Sequence, residues 1–156
     1  MRKIIIFFTI IYFLCFASPC LAKGINFSFV SYNGKKHELV EFRGKYVIIN
    51  FFSSYCDGCI AELQVLNRIQ QKCEKNIQVI SLLLDPEGIV FIRPLISNLD
   101  YIVGFANKKI LKIFPDFNIT PTTYILSPQG EKLLKITGFK PYKDFITLLN
   151  KYTSCN

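Results

Sequence analysis

A chain of 156 residues with 19 Lys and Arg against 11 Asp and Glu makes one basic domain of ordinary size. It is long enough to bury a single core without metals or a dense set of disulfides. Apolar residues reach 51%, but much of that excess lies in the first two dozen positions, so the remainder has the composition of a soluble protein. The cations are scattered from Lys23 to Lys151 in runs no longer than two, which describes a solvated basic surface and gives nucleic-acid binding no local support.

The N-terminus has the three-part layout of a secretory signal: Arg2 and Lys3, the apolar run Ile4–Phe16, then small residues through Ala17-Ser18-Pro19-Cys20-Leu21-Ala22. That apolar run is well short of the roughly 20 residues that cross a bilayer. The expectation is a signal over 1–22, cut after Ala22 and followed by one domain over 23–156. Retention of 4–16 as a membrane anchor is the alternative. Leu14 and Pro19 are poor neighbours for lipid attachment at Cys15 or Cys20. Loss of Arg2 and Lys3 leaves 17 cations against 11 acids, a formal charge of +6.

Along the chain, Asn26–Ser31 and His37–Val40 flank Asn33-Gly34, a strong hairpin signal. Lys45–Phe52 is a continuous β-branched and aromatic run that reads as a buried parallel strand. Ser53-Ser54-Tyr55 turns the chain into Cys56-Asp57-Gly58-Cys59. From Cys59 to about Cys73, Ile60, Leu63, Leu66 and Ile69 recur at helical spacing with polar residues between them. Ile77–Leu84 reads as a second buried strand, Gly88–Leu99 as a helical region disturbed by Pro94, and Tyr101–Phe105 as a short extended segment. Lys108–Phe117 reads as a helix interrupted near Pro115. Thr122–Leu126 and Lys132–Thr137 are strands joined by the turn Ser127-Pro128-Gln129-Gly130, and Tyr142–Tyr152 is a last helix.

Export would leave Cys56, Cys59, Cys73 and Cys155 where disulfides form and persist. Two thiols spaced by two residues meet across a helix's first turn, with Cys56 at the N-terminus. There the helix dipole and free N–H groups stabilise a thiolate, the species that attacks disulfides. A zinc site would need two more ligands; His37 is the only histidine and the other thiols are remote in sequence, so no metal is expected.

Taken in order, several stretches make the chain resemble the exported thioredoxin-like proteins of the TlpA/ResA type. They are Asn33-Gly34-Lys35, Phe42-Arg43-Gly44-Lys45, Val47–Phe52, Cys56–Glu62, Thr120–Leu126, Gly130 and Gly138. The resemblance covers nearly all of 25–152 and implies an α/β thioredoxin fold: a central mixed sheet flanked by helices, here with an N-terminal β-hairpin extension. It also implies a periplasmic thiol-disulfide oxidoreductase that needs no cofactor beyond the Cys56–Cys59 disulfide. Its partners would be protein disulfides and a membrane thiol reductant, with the enzyme itself a monomer. Pro121 matches the family's cis proline, and the backbone edge at Thr120 would pair with an extended substrate beside Tyr55, Asp57 and Gly58. Without the cysteine pair, Pro121 would read as an ordinary strand-entry proline. Glu62, one helical turn after Cys59, matches the family glutamate that takes the proton of the second thiol; a solvated helix charge is the alternative.

The chain departs from the family pattern too. Tyr55 stands where a Trp is common, Gln64 where a Pro is common, and no proline lies between the cysteines. Asp57 beside Cys56 disfavours the thiolate, which points to a reductant or moderate exchanger, with cytochrome c maturation one setting among several. A disulfide-forming oxidase and a copper-binding protein on the same fold are the rival readings, and copper would usually want a histidine near the thiols. In a thioredoxin fold the helix after the cysteine pair and the last helix share a face of the sheet and run away from the site. Cys73 and Cys155 would then be neighbours and form a structural disulfide.

Overall fold

The computed structural model describes residues 24–155; the expected signal at 1–22, and the anchor considered at 4–16, lie outside the described residues. Ser28–Val30 (β1) and Lys36–Glu38 (β2) pair antiparallel, with Phe29 opposite His37. Gly34 in the connecting turn has φ 86°, a conformation that glycine adopts without steric cost. Both strands are shorter than the sequence pattern suggests. The Glu41 carboxylate accepts from the Glu38 backbone N–H (2.7 Å) and draws the chain into a 3-10 turn over Leu39–Phe42.

Five more strands build the central sheet: Tyr46–Phe52 (β3), Ile77–Leu83 (β4), Ile102–Phe105 (β5), Thr122–Leu126 (β6) and Lys132–Thr137 (β7). Their spatial order is β5-β4-β3-β6-β7. The strands β3, β4 and β5 run parallel, while β6 is antiparallel to β3 and to β7, so the sheet is mixed. Central β3 is covered on both sides, which is why it reads as an apolar run interrupted only at Asn50. Ile48 and Phe52 enter one core cluster and Val47, Ile49 and Phe51 the other, as the two-residue period of a strand requires.

The helices are Asp57–Cys73 (α1), Ile89–Ile96 (α2), Lys108–Ile113 (α3) and Tyr142–Leu149 (α4). Leu63, Leu66 and Ile69 of α1, Ile92 and Ile96 of α2, and Phe145 and Leu149 of α4 all join the Ile48 cluster, so these three helices share one face. The Arg68 guanidinium lies 4.1 Å from the centre of the Tyr142 ring and ties α1 to α4. Phe27, Phe29 and Leu39 from the hairpin region join Ile110 of α3 and Phe114 on the opposite face.

Three helices end earlier than the sequence pattern predicts, α2 at Ile96 rather than Leu99. Pro115 pushes Phe114 out of the helical region (φ −117°, ψ 66°), so α3 stops at Ile113. The last helix gives way after Leu149 to a short turn held by Thr153 N–H on the Leu149 carbonyl (3.0 Å). Near the edge strand β5, Ser31 forms a bridge to Gly104 and the Tyr32 N–H donates to the Val103 carbonyl (2.9 Å). A Cβ on Gly104 would stand 2.7 Å from Phe29 Cδ2 and 2.8 Å from the Val30 carbonyl oxygen, so only glycine lets the hairpin seat this closely.

The chain after α4 returns to the C-terminal end of α1. Asn76 donates to the Ser154 carbonyl (3.1 Å), and Cys73 and Cys155 form a disulfide with Cα atoms 4.6 Å apart. This bond closes a loop between residues 82 apart in sequence, for which the chain-entropy model gives roughly 4–5 kcal/mol as an upper guide. Replacing both cysteines by serine is expected to lower the unfolding free energy by about 2–4 kcal/mol in urea titrations. The same titrations under reducing conditions should bring the parent protein close to the variant.

Candidate functional site

The end of β3 delivers the chain to α1 through Ser53–Cys56, and Cys56 is the N-cap of that helix. Its Sγ accepts from the Cys59 backbone N–H (3.2 Å), one of the donors that a helix N-terminus leaves free. Cys56 and Cys59 form a disulfide with Cα atoms 5.1 Å apart. The two sulfurs are placed unequally: Cys56 is half-buried, whereas Cys59 has no exposed surface. Asp57 is exposed in the first turn beside Cys56.

Glu62 is not a solvated helix charge. It is 1% exposed and points into the sheet. Its Oε1 accepts from Asn50 Nδ2 (3.1 Å) and from the Thr123 hydroxyl (2.8 Å), and its Oε2 accepts from the Lys140 backbone N–H (3.0 Å). Burial pushes its carboxyl above the usual range; the hydrogen bonds from Thr123 and Lys140 and the Lys140 charge pull the other way without cancelling it.

The donors come from one row across the sheet. Asn50 on β3 is opposite Thr123 on β6 and Ser81 on β4, so all three side chains emerge on the α1 face. Ser81 donates to Asn50 Oδ1 (3.2 Å) and lies 3.3 Å from the Tyr101 hydroxyl, which donates to the Leu63 carbonyl (3.3 Å). Sequence reasoning passed over Asn50, Ser81, Thr123, Tyr101 and Lys140. A signal existed for two of them, since an Asn inside Tyr46–Phe52 and a Ser inside Ile77–Leu83 must find buried partners.

The Thr120–Pro121 peptide is cis, with Pro121 buried and Thr120 half-buried. The Pro121 carbonyl accepts from the Gly138 N–H (2.8 Å), and two residues later Lys140 reaches Glu62. The strand entry at Pro121, the segment 138–140 and the second turn of α1 are thereby tied together. Phe139 lies over Gly58, where an added Cβ would come 3.6 Å from the Phe139 Cβ. Tyr55 and Phe91 are each 71% exposed and lean together with ring centres 6.2 Å apart. With exposed Phe139 they give the cysteine pair an apolar margin.

His37 lies in β2, stacked on Phe29 (5.3 Å between rings), on the sheet face opposite α1. Among the described residues no three His, Cys, Asp or Glu side chains gather as a metal set, and no helix is long and apolar enough to cross a membrane.

The buried carboxyl makes stability depend on pH with a definite sign. Its folded-state pKa lies above the ordinary value of 4.5, so the unfolded chain gives up this proton first and unfolding becomes easier as pH rises through that window. Subtracting the pH-stability curve of Glu62→Gln from that of the parent is expected to leave a fall that begins near 4.5 and levels off above the raised value. A flat difference curve would contradict the raised carboxyl.

A family model described as the AhpC/TSA family matches residues 22–93. Among curated proteins, a thiol-disulfide oxidoreductase ResA of Bacillus cereus is 28% identical over 131 residues, which span 82% of this chain and 75% of that protein. Among solved structures, a thioredoxin-family thiol:disulfide interchange protein from Chlorobium tepidum TLS superposes with a TM-score of 0.73 at 19% identity, covering 82% of this chain and 93% of that one. The exposed lipoprotein thioredoxin Etrx1 of Streptococcus pneumoniae strain TIGR4 superposes with a TM-score of 0.68 at 19% identity, over 81% and 99% of the two chains. The structural likeness shows the fold and the sequence likeness to ResA carries the cysteine chemistry, so this chain is a thioredoxin-like thiol-disulfide oxidoreductase similar to ResA.

Proposed function

We propose that the protein is exported and reduces or exchanges disulfides in envelope proteins, cytochrome c maturation being one such setting, with Cys56 as nucleophile and Cys59 as resolving thiol. The observation that carries this reading is the asymmetry of the pair: a half-buried Cys56 at a helix N-terminus and a fully buried Cys59 one turn above a buried carboxyl. The likeness to ResA supports the chemistry, and the N-terminal layout of residues 1–22 supports export.

In the reduced enzyme the Cys56 thiolate attacks a partner disulfide, and one partner sulfur leaves as a thiolate. Glu62 then takes the proton of Cys59, whose thiolate attacks Cys56 Sγ and releases the second partner sulfur. The enzyme ends with the Cys56–Cys59 disulfide, two electrons having passed to the partner. A membrane thiol reductant returns the pair to the dithiol form. The backbone at Thr120, beside the cis Pro121, offers an edge for an extended partner segment, and Tyr55, Gly58 and the apolar margin receive its flanking side chains. Copper binding is disfavoured because His37 lies on the other face of the sheet from α1.

Cys59→Ser should therefore accumulate a mixed disulfide on Cys56 with its natural partners, while Cys56→Ser should capture none and lose exchange activity. In the reduced protein Cys56 should alkylate faster than Cys59 at neutral pH, and equal rates would overturn the assignment.

The direction of exchange has its own test. The Asp57 carboxylate beside Cys56 disfavours the thiolate and so favours the disulfide relative to the dithiol. Equilibration with glutathione buffers should give a potential nearer to about −270 mV than to about −120 mV, and a value above about −180 mV would favour the oxidase instead.

A further inference from the structure

The row of polar side chains beneath the redox pair assigns unequal duties to the two oxygens of Glu62. Asn50 Nδ2 has two hydrogens and both are committed, one to Glu62 Oε1 (3.1 Å) and one to Thr123 Oγ1 (3.0 Å). The Thr123 hydroxyl passes its own hydrogen to the same Oε1 (2.8 Å). Both lone-pair positions of Oε1 are therefore filled, whereas Oε2 accepts the Lys140 N–H and keeps one position open. The Asn50 amide cannot turn over without facing its oxygen toward the carboxylate. Ser81, donating to Asn50 Oδ1 (3.2 Å), holds it in the productive sense. Asn50, Ser81 and Thr123 are fully buried, so no bulk water competes for these bonds.

We propose that Asn50, Thr123 and Ser81 are positioning residues that saturate Glu62 Oε1 and thereby direct the proton leaving Cys59 to Oε2. The proposal rests on the reading of Glu62 as the proton acceptor of Cys59. In that step the Cys59 S–H bond breaks and its proton binds Oε2. The Cys59 thiolate bonds to Cys56 Sγ, and the bond between Cys56 and the partner sulfur breaks with its electron pair on the partner. No outside oxidant or reductant enters.

Removing a donor to Oε1 has two consequences: the carboxylate form loses support, and a second, wrongly placed oxygen becomes open to the proton. The titratable groups that act on Glu62 are Tyr101, the residue before β5, and Lys140 from the segment before α4, while Cys59 precedes it by three residues on its own helix. Its neighbours on β3, β4 and β6 do not titrate, so substitutions there change hydrogen bonding without changing charge.

The experiment follows the two phases of nitrothiobenzoate release when the reduced full-length protein meets DTNB. The first phase reports Cys56 attack and the second reports Cys59 resolution. Thr123→Val is expected to move the midpoint of the second phase's pH profile upward by about half a unit or more and to slow that phase several-fold near neutral pH. The first phase should stay within about two-fold. Thr123→Ser restores the hydroxyl and should restore the midpoint, and Ser81→Ala, which removes very little volume, should shift it in the same direction by less. Thermal melts run in parallel separate a folding defect from this effect. Lower melting temperatures with an unmoved midpoint in both Thr123→Val and Ser81→Ala would overturn the proposal. If Glu62→Gln abolishes the pH dependence while those two leave it unmoved, the positioning role fails and the role of Glu62 stands. If Glu62→Gln leaves the second phase unchanged, the role of Glu62 fails and the proposal with it.

Discussion

A carboxyl group with almost no exposed surface, held under a cysteine pair, is the constraint around which the rest of this molecule is arranged. Burying a charge without partners costs several kcal/mol, so Glu62 can sit there only if each oxygen meets donors. Those donors come from three separate places: a strand residue on β3, another on β6, and a backbone N–H that follows the last strand. Helix α1, the central strands and the 138–140 segment must therefore hold one relative placement. The apolar packing of Leu63, Leu66 and Ile69 against Ile48 and Ile125 supplies the bulk of the attraction, and the polar row fixes the register.

Helix α1 connects two ends of the molecule with different chemistry. At its N-terminus, dipole and free N–H groups favour an anionic sulfur at Cys56. At its C-terminus, Cys73 is bonded to Cys155, which anchors the chain after α4 beneath the helix. The spare thiols are thus consumed about as far from the reactive pair as one helix allows, since 17 residues span roughly 25 Å. Scrambling between the two pairs would require α1 to leave the sheet.

Two further segments pack against the central sheet, the hairpin on one face and α2 on the other. The hairpin seats on β5 through Gly104 and guards an edge that would otherwise be open to pairing. Ahead of β5, α2 packs Ile92 and Ile96 into the core and leaves Phe91 outside against Tyr55. An amphipathic helix thereby contributes to the core with one side and to the margin of the reactive pair with the other.

The order of elements was legible in the residues, because short apolar runs such as Ile77–Leu83 and helical spacing such as Ile60, Leu63, Leu66 and Ile69 are local properties of the chain. The reactive pair was legible for the same reason: two thiols separated by two residues ahead of a helical pattern place one of them at a helix N-terminus by geometry alone. Helix ends were less so, since the stop at Ile113 depends on how Pro115 constrains Phe114 and the turn after Leu149 on where the C-terminus docks. The surroundings of Glu62 could not be read along the chain. Asn50, Ser81 and Thr123 are scattered through apolar strands and meet only because the register Asn50↔Ser81 and Asn50↔Thr123 sets them side by side. By itself the sequence determined which atoms can do chemistry, since thiol spacing is covalent and local. Only the tertiary structure decided which of them are buried and which donors surround them, because burial and hydrogen bonding depend on contacts between residues distant in sequence, such as Glu62 and Lys140, 78 positions apart.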